Sequence, residues 1–231
     1  MHALTQGFCA ACRSSVGRKW IVALSGILLL LFLAGHLAGN LFIYAGPEAL
    51  NAYAKKLQSL GPLLWVIRVG LLAIAAVHVV TTIALTLENR AARGGVGYAR
   101  NESVKATFSS RIMIWSGLVI LAFIIYHVLH FTLGVIEPEF LDYHDGDGNH
   151  DVYRMVVTGF SSWTVSGFYI LAMGLLCSHL SHGFSSIFQT LGLRTDRNWP
   201  LIVKLGQAYA AVIFVGNISI PISVLTGFVS L

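Results

Sequence analysis

Charged residues are scarce in this chain. Asp, Glu, Lys and Arg together make up 11% of its 231 residues, whereas a soluble domain usually carries about 25%. Hydrophobic residues account for 56% of the chain, and the mean hydropathy is +0.74. This composition excludes a soluble globular domain of this length and predicts a polytopic membrane protein.

Cysteine is also scarce, with only Cys9, Cys12 and Cys177 present. Cys9 and Cys12 form a C-x-x-C motif, but Arg13 stands where covalent haem attachment requires histidine. There is no second C-x-x-C to complete a zinc site, no cysteine set for an iron–sulfur cluster and no dinucleotide-binding glycine motif. Any haem in this chain would therefore be held non-covalently.

Apolar segments recur five times along the chain. Because a helix rises about 1.5 Å per residue, about 20 residues cross the hydrocarbon core of a bilayer. The sequence predicts one all-α domain over residues 1–231, with spans at about 20–44, 63–87, 112–135, 155–186 and 203–229. Residues 46–62 are predicted to form a short amphipathic helix at the membrane surface. The fourth apolar run is too long for one crossing, so its helix is expected to tilt or protrude.

The distribution of charge predicts the orientation. Eleven of the 15 Lys and Arg residues lie in the N-terminal tail and in the 88–111 and 184–204 connections, whereas the 137–151 loop is acidic. Basic connections stay in the cytoplasm, so we expect a cytoplasmic N-terminus and an outer C-terminus. The positive-inside rule explains the net charge of +5 better than nucleic-acid binding does. Within the acidic loop, residues 145–151 faintly resemble a calcium loop but lack its turn glycine and bidentate Glu, which predicts an ordinary solvated loop.

Histidines occur on the first four spans, at His36, His78, His127 with His130, and His179 with His182. A single intramembrane histidine is often a hydrogen-bonded packing residue, but recurrence on four helices indicates two bis-histidine haems. His36 lies 17 residues after Lys19, and His127 lies 16 residues after Arg111. This predicts that the two histidines share one depth, in the outer half of the membrane. His78 lies 10 residues before Glu88, and His179 lies 10 residues before Gln189. This predicts that the two share a second depth, in the inner half of the membrane.

His130 and His182 each follow another histidine by three residues and share its helix face. Either member of a doublet is able to ligate iron, and the other then serves a haem propionate or a quinone oxygen. The glycines at 35 and 39, beside His36, fit either close helix packing or the approach of a flat macrocycle to the backbone.

With these residues in view, the chain resembles the dihaem cytochrome b membrane anchors of succinate dehydrogenases and fumarate reductases, the succinate:quinone oxidoreductases. The resemblance covers nearly the whole chain and rests on three motifs: H-L-x-x-N at 36–40, H-x-x-H-F-T at 127–132 and H-x-x-x-G-[LF]-x-S at 179–186. It implies five spans, four of which form the haem-binding bundle. It also implies that His36 and His127 bind the outer haem b, and that His78 and His179 bind the inner one. Some relatives have histidine directly before the glycine, as His182 does here.

The resemblance further implies partners and a location. A flavoprotein subunit and an iron–sulfur subunit would dock on the cytoplasmic side, and the chain would lie in a bacterial cytoplasmic membrane, among its lipids. Single-anchor dihaem members commonly use menaquinone, so menaquinone is the expected quinone. The anchor would carry electrons and form the quinone site, while succinate and fumarate react elsewhere.

The expected quinone pocket is apolar with a few polar groups. The outer end offers Asn40, Tyr44, Lys55, Trp65 and Arg68, and the inner end offers Arg18, Trp20, Ser25 and His182. An outer site is favoured because it would give both haems a role. Two other classes remain open: the multihaem anchor of a hydrogenase or formate dehydrogenase, and a transporter with an intramembrane proton relay.

Overall fold

The computed structural model describes residues 14–92 and 111–231. Cys9, Cys12 and most of the basic 89–111 connection lie outside the described residues. Seven α-helices form the described part of the chain: α1 (Ser15–Asn40), α2 (Pro47–Gln58), α3 (Pro62–Ala91), α4 (Met113–His127), α5 (Val152–Phe160), α6 (Trp163–Thr190) and α7 (Trp199–Leu225). Short 3₁₀ turns follow α1 and precede α5, at Leu41–Ala45 and Pro138–Asp142, and a π-helical turn at Val128–Thr132 extends α4.

Five of these helices are long and apolar enough to cross a membrane. They are α1 with its 3₁₀ turn, α3, α4 with its π turn, α6 and α7. The predicted all-α membrane fold with five spanning helices is therefore confirmed, and the chain is a multi-pass membrane protein. The predicted surface segment 46–62 contains helix α2.

The fourth span begins later than predicted. The expected span of 155–186 is divided into α5 and α6, and α6 continues to Thr190. Ser162 caps α6 by accepting the Val165 N–H at 3.5 Å, and the Ser166 hydroxyl donates to the Phe160 carbonyl at 2.6 Å. Hydropathy does not reveal this break, because the run remains uncharged while the serine hydroxyls satisfy the helix ends.

Small residues allow the helices to pack closely. A Cβ at Gly206 on α7 would lie 3.1 Å from Phe184 and 3.2 Å from the Ser181 carbonyl, both on α6. A Cβ at Gly216 would lie 2.8 Å from Leu37 on α1. The Tyr209 hydroxyl also donates to the Leu30 carbonyl at 2.6 Å. These contacts hold α7 against α1 and α6, as small residues do at membrane helix interfaces.

Polar contacts join α2 to the start of α5. Asn51 donates through Nδ2 to Asp151 at 2.9 Å and accepts the Tyr153 N–H at 2.9 Å. In the preceding loop, the Asp145 carboxylate accepts backbone N–H groups from Asn149 and Asp147. The Asn149 bond contributes most to lowering the pKa of Asp145. The acidic loop is thus organised by its own hydrogen bonds.

Candidate functional site

A large cavity runs through the helix bundle. Its volume is about 1970 Å³, and residues of all five long helices line it. A pocket for one drug-sized ligand usually measures roughly 300–1,000 Å³. On α1 the lining extends from Val22 to Asn40, which is about 27 Å along a helix. The space is therefore long enough and large enough for more than one bulky ligand.

Eight of the predicted site residues line this cavity. They are His36, Asn40, Trp65, Arg68, His78, His127, His179 and His182. The cavity thus gathers histidines from four separate helices and an arginine and tryptophan from the start of α3.

Six further predicted residues are not part of the lining. Lys55 is exposed on α2, and Ser25 bonds to His78. Tyr44 donates to Ser219 at 2.8 Å in a separate shallow groove. Arg18 pairs with Glu88 at the opposite end of the bundle, and Trp20 is 45% exposed on α1. His130 is buried within an aromatic cluster.

Two serines hold the histidines of the predicted inner level. The Ser25 Oγ atom lies 3.0 Å from His78 Nδ1, and the Ser116 Oγ atom lies 3.2 Å from His179 Nδ1. Each serine hydroxyl also donates to a carbonyl of its own helix, at Ile21 and Met113 respectively. When the serine hydrogen points to that carbonyl, the serine oxygen accepts from the histidine, since a hydroxyl has one hydrogen.

That placement of the hydrogens gives both imidazoles the same tautomer, in which Nδ1 carries the hydrogen and Nε2 keeps its lone pair. His78 and His179 are therefore prepared to ligate a metal through Nε2.

A glycine adjoins each of these serines in sequence. A Cβ at Gly26 would lie 3.4 Å from His78 Cε1, and a Cβ at Gly117 would lie 3.4 Å from His179 Cε1. Both glycines line the cavity, as do Gly35 and Gly183, which have nothing within 4 Å of the Cβ position. Gly39 instead packs against the Tyr53 ring. The first span thus uses one glycine for open space and another for packing.

The two histidines of the predicted outer level are in contact, with one ring edge-on to the other. The His36 and His127 ring centroids are 5.8 Å apart, with their planes at 86°. Phe32 stacks on His36 at 5.3 Å, and Phe123 stacks on His127 at 5.9 Å. His127 Nδ1 lies 3.3 Å from the Tyr169 hydroxyl. Aromatic packing and one hydrogen bond therefore hold this pair.

Several residues of the site were not predicted from the sequence. Ser116 and Tyr169 were missed, and Ser25 was considered only for the quinone. A signal for the serines was present, since Ser-Gly occurs in two apolar spans at 25–26 and 116–117. Further cavity-lining polar residues come from α2 and the acidic loop: Tyr53, Gln58, His144 and His150. His144 and His150 lie opposite each other in an isolated antiparallel bridge.

The residues present fit two bis-imidazole haems. Histidine is a common haem ligand, and one cavity is lined by five histidines from four helices. The hydrogen bonds of His78 and His179 leave Nε2 as the ligating atom, and glycines beside them leave room for a flat group. His182 also lines the cavity, but its ring makes no hydrogen bond to a described residue. His179, with its serine partner, is thus better oriented than His182.

Comparison with known proteins gives no family for this chain. No protein-family profile, curated protein sequence or solved structure matches it.

Proposed function

We propose that the chain is the membrane anchor and dihaem cytochrome b subunit of a succinate:quinone oxidoreductase. The observation that carries this proposal is the single cavity lined by His36, His78, His127 and His179 from four helices. The hydrogen-bonded tautomers of His78 and His179 support it independently, because they leave a free lone pair on each ring.

Each predicted pair of histidines would hold one haem b. His36 and His127 would ligate the outer group, and His78 and His179 the inner group. When bound, the two haems would supply one-electron redox centres between the iron–sulfur subunit and quinone. Ser25 and Ser116 orient the inner ligands, and Gly26 and Gly117 keep the space beside them clear. The apolar lining excludes water from the same region.

The orientation and partners form part of the proposal. The N-terminus would face the cytoplasm of a bacterial cell, because the basic connections lie on that side of the bundle. The flavoprotein and iron–sulfur subunits would dock there. Among the described residues, Arg90, Arg194 and Arg197 are exposed on this side and are available for such a contact.

The quinone, with menaquinone favoured, would bind at the outer end of the cavity. Asn40, Trp65 and Arg68 line this end, and Tyr53, Gln58, His144 and His150 add polar groups. Arg68 lies over the Trp65 ring at 5.1 Å, which keeps a cation beside an apolar surface. His182 lines the inner end of the cavity and marks the alternative position for the quinone.

The visible spectrum of the purified complex tests the haem assignment. We expect the bands of reduced haem b and two haems per chain. Replacing His36 or His127 should remove one haem, and replacing His78 or His179 should remove the other, as redox titration distinguishes them. Absence of haem bands would favour the transporter alternative and overturn the proposal.

Co-purification tests the partner assignment separately. We expect a flavoprotein and an iron–sulfur protein with succinate dehydrogenase or fumarate reductase activity. Recovery of a hydrogenase or formate dehydrogenase with a haem-loaded chain would retain the cytochrome and reject the succinate:quinone assignment. Loss of the same haem from both His36 and His78 variants would reject the pairing.

A further inference from the structure

One buried hydroxyl connects both histidines of the third span. Tyr169 on α6 is 6% exposed, and its hydroxyl lies 3.3 Å from His127 Nδ1 and 3.1 Å from His130 Nδ1. From the sequence, His130 is expected to ligate iron or to serve a haem propionate or a quinone oxygen. Its ring nevertheless lies outside the cavity lining. It is 1% exposed and reaches His127 through the tyrosine.

The local fold places His130 in this position. It lies in the π-helical turn Val128–Thr132, and such turns change the direction of side chains relative to a regular α-helix. Its ring centroid lies 4.1 Å from that of Phe131 and 5.5 Å from that of Phe140. Gly159 permits this packing, because a Cβ there would lie 2.8 Å from Phe131 and 3.4 Å from His130. The π turn and α5 thus hold His130 against Tyr169.

The number of hydrogens limits the bonds within this chain of three residues. The Tyr169 hydroxyl can donate to only one Nδ1 atom, so the other must donate to the tyrosine oxygen. If His127 ligates through Nε2, its Nδ1 carries a hydrogen and donates to Tyr169. The tyrosine then donates to His130 Nδ1, and His130 carries its hydrogen on Nε2. Ligation by His127 therefore sets the direction of both bonds.

We propose that Tyr169 and His130 are positioning residues that orient His127 and lower the reduction potential of the outer haem. This inference rests on the proposed function. An acceptor for the Nδ1 hydrogen makes a ligating imidazole more basic, which favours oxidised iron. Tyr169 becomes a better acceptor because it donates onward to His130, since hydrogen bonds in a chain strengthen one another.

The inner histidines have a different arrangement. Their serine partners bond to carbonyls of their own helices, whereas the Tyr169 hydroxyl lies 3.1 Å from a second imidazole on another helix. The outer and inner histidines therefore have different hydrogen-bond partners, although both pairs are proposed to bind haem. The inner haem supplies an internal reference for any change at Tyr169.

Spectroelectrochemical titration of both haems in the intact complex tests this role. In Tyr169→Phe we expect the outer haem to remain bound and its midpoint potential to rise, while the inner haem is unchanged. In His130→Phe, which keeps a ring in the cluster, we expect a smaller rise. Tyr126→Phe is the matched control, because Tyr126 packs on His130 at 5.4 Å but its hydroxyl bonds neither histidine.

The outcomes separate this inference from the proposed function. A wild-type complex without haem overturns the proposed function. Two haems in the wild type, with equal outer potentials in Tyr169→Phe and Tyr126→Phe, overturn the inference alone. If Tyr169→Phe loses the outer haem, His130→Phe decides: a raised potential supports the relay, and an unchanged potential limits Tyr169 to packing and overturns the proposal.

Discussion

The Ser25 hydroxyl on α1 and the His78 imidazole on α3 are joined by a hydrogen bond of 3.0 Å. Ser116 on α4 and His179 on α6 repeat the relationship at 3.2 Å. In both cases a serine that lies within hydrogen-bond distance of a carbonyl of its own helix also contacts Nδ1 of a histidine. Two helix pairs therefore present histidines to the same cavity in the same way.

Replacing either serine is expected to change the inner haem. Ser25→Ala and Ser116→Ala remove the acceptor of a ligand N–H, so the inner midpoint potential should rise and the outer one should remain constant. Ser25→Thr retains the hydroxyl and should preserve the wild-type value. Ser185→Ala is the control, because this buried hydroxyl bonds to the His182 carbonyl and to no other group among the described residues. Equal shifts in Ser25→Ala and Ser185→Ala would contradict the assignment.

Space beside His179 is expected to limit substitutions at Gly117. An alanine Cβ would make ordinary contact with His179 at 3.4 Å, so Gly117→Ala should keep two haems per chain. Gly117→Val adds branches that displace the ring, and we expect about one haem per chain. Gly174→Val is the control, because nothing lies within 4 Å of its Cβ position. Haem content per protein measures the effect, and full occupancy in Gly117→Val would refute it.

The contact between α2 and α5 is expected to depend on Asn51. Asn51→Leu leaves the buried Tyr153 N–H without its acceptor and removes a donor to Asp151. An unsatisfied buried group of this kind costs about 1–3 kcal/mol. Thermal unfolding in detergent should show a lower midpoint, whereas Lys56→Ala, on the exposed side of α2, should change little. A wild-type midpoint for Asn51→Leu would show that α2 is held by other contacts.

The proposed orientation predicts the sidedness of labelling. In a variant without native cysteines, Gly146→Cys in the acidic loop should react with a membrane-impermeant maleimide added to intact cells. Thr195→Cys, between α6 and α7, should react only after the membrane is opened. The reverse pattern would place the N-terminus outside and move the expected partner side with it.

The sequence alone predicts the five spanning helices, because hydropathy and length are properties of single segments. It also predicts the histidines at 36, 78, 127 and 179, since polar residues in apolar spans are conspicuous without any knowledge of packing. The ends of the helices were less predictable from the sequence. The uncharged run from Met155 hides the break between α5 and α6, which depends on hydrogen bonds from Ser162 and Ser166.

Two doublets with the same i,i+3 spacing illustrate what tertiary structure adds. His127 with His130 and His179 with His182 have the same sequence signature, but His182 lines the cavity and His130 lies buried outside its lining. The difference arises from the π turn in the third span and from Phe140, which comes from a distant loop. A prediction from sequence spacing assumes a regular helix, so it includes neither the π turn nor the contact with Phe140.

The sequence by itself determined the class of protein, because this follows from composition, and it indicated the histidines that we propose as haem ligands, because polar groups are costly in lipid. Only the tertiary structure decided which hydroxyl contacts each inner histidine. Those bonds connect residues 53 and 63 positions apart. Their partners are chosen by helix packing, and no local pattern in the chain specifies them.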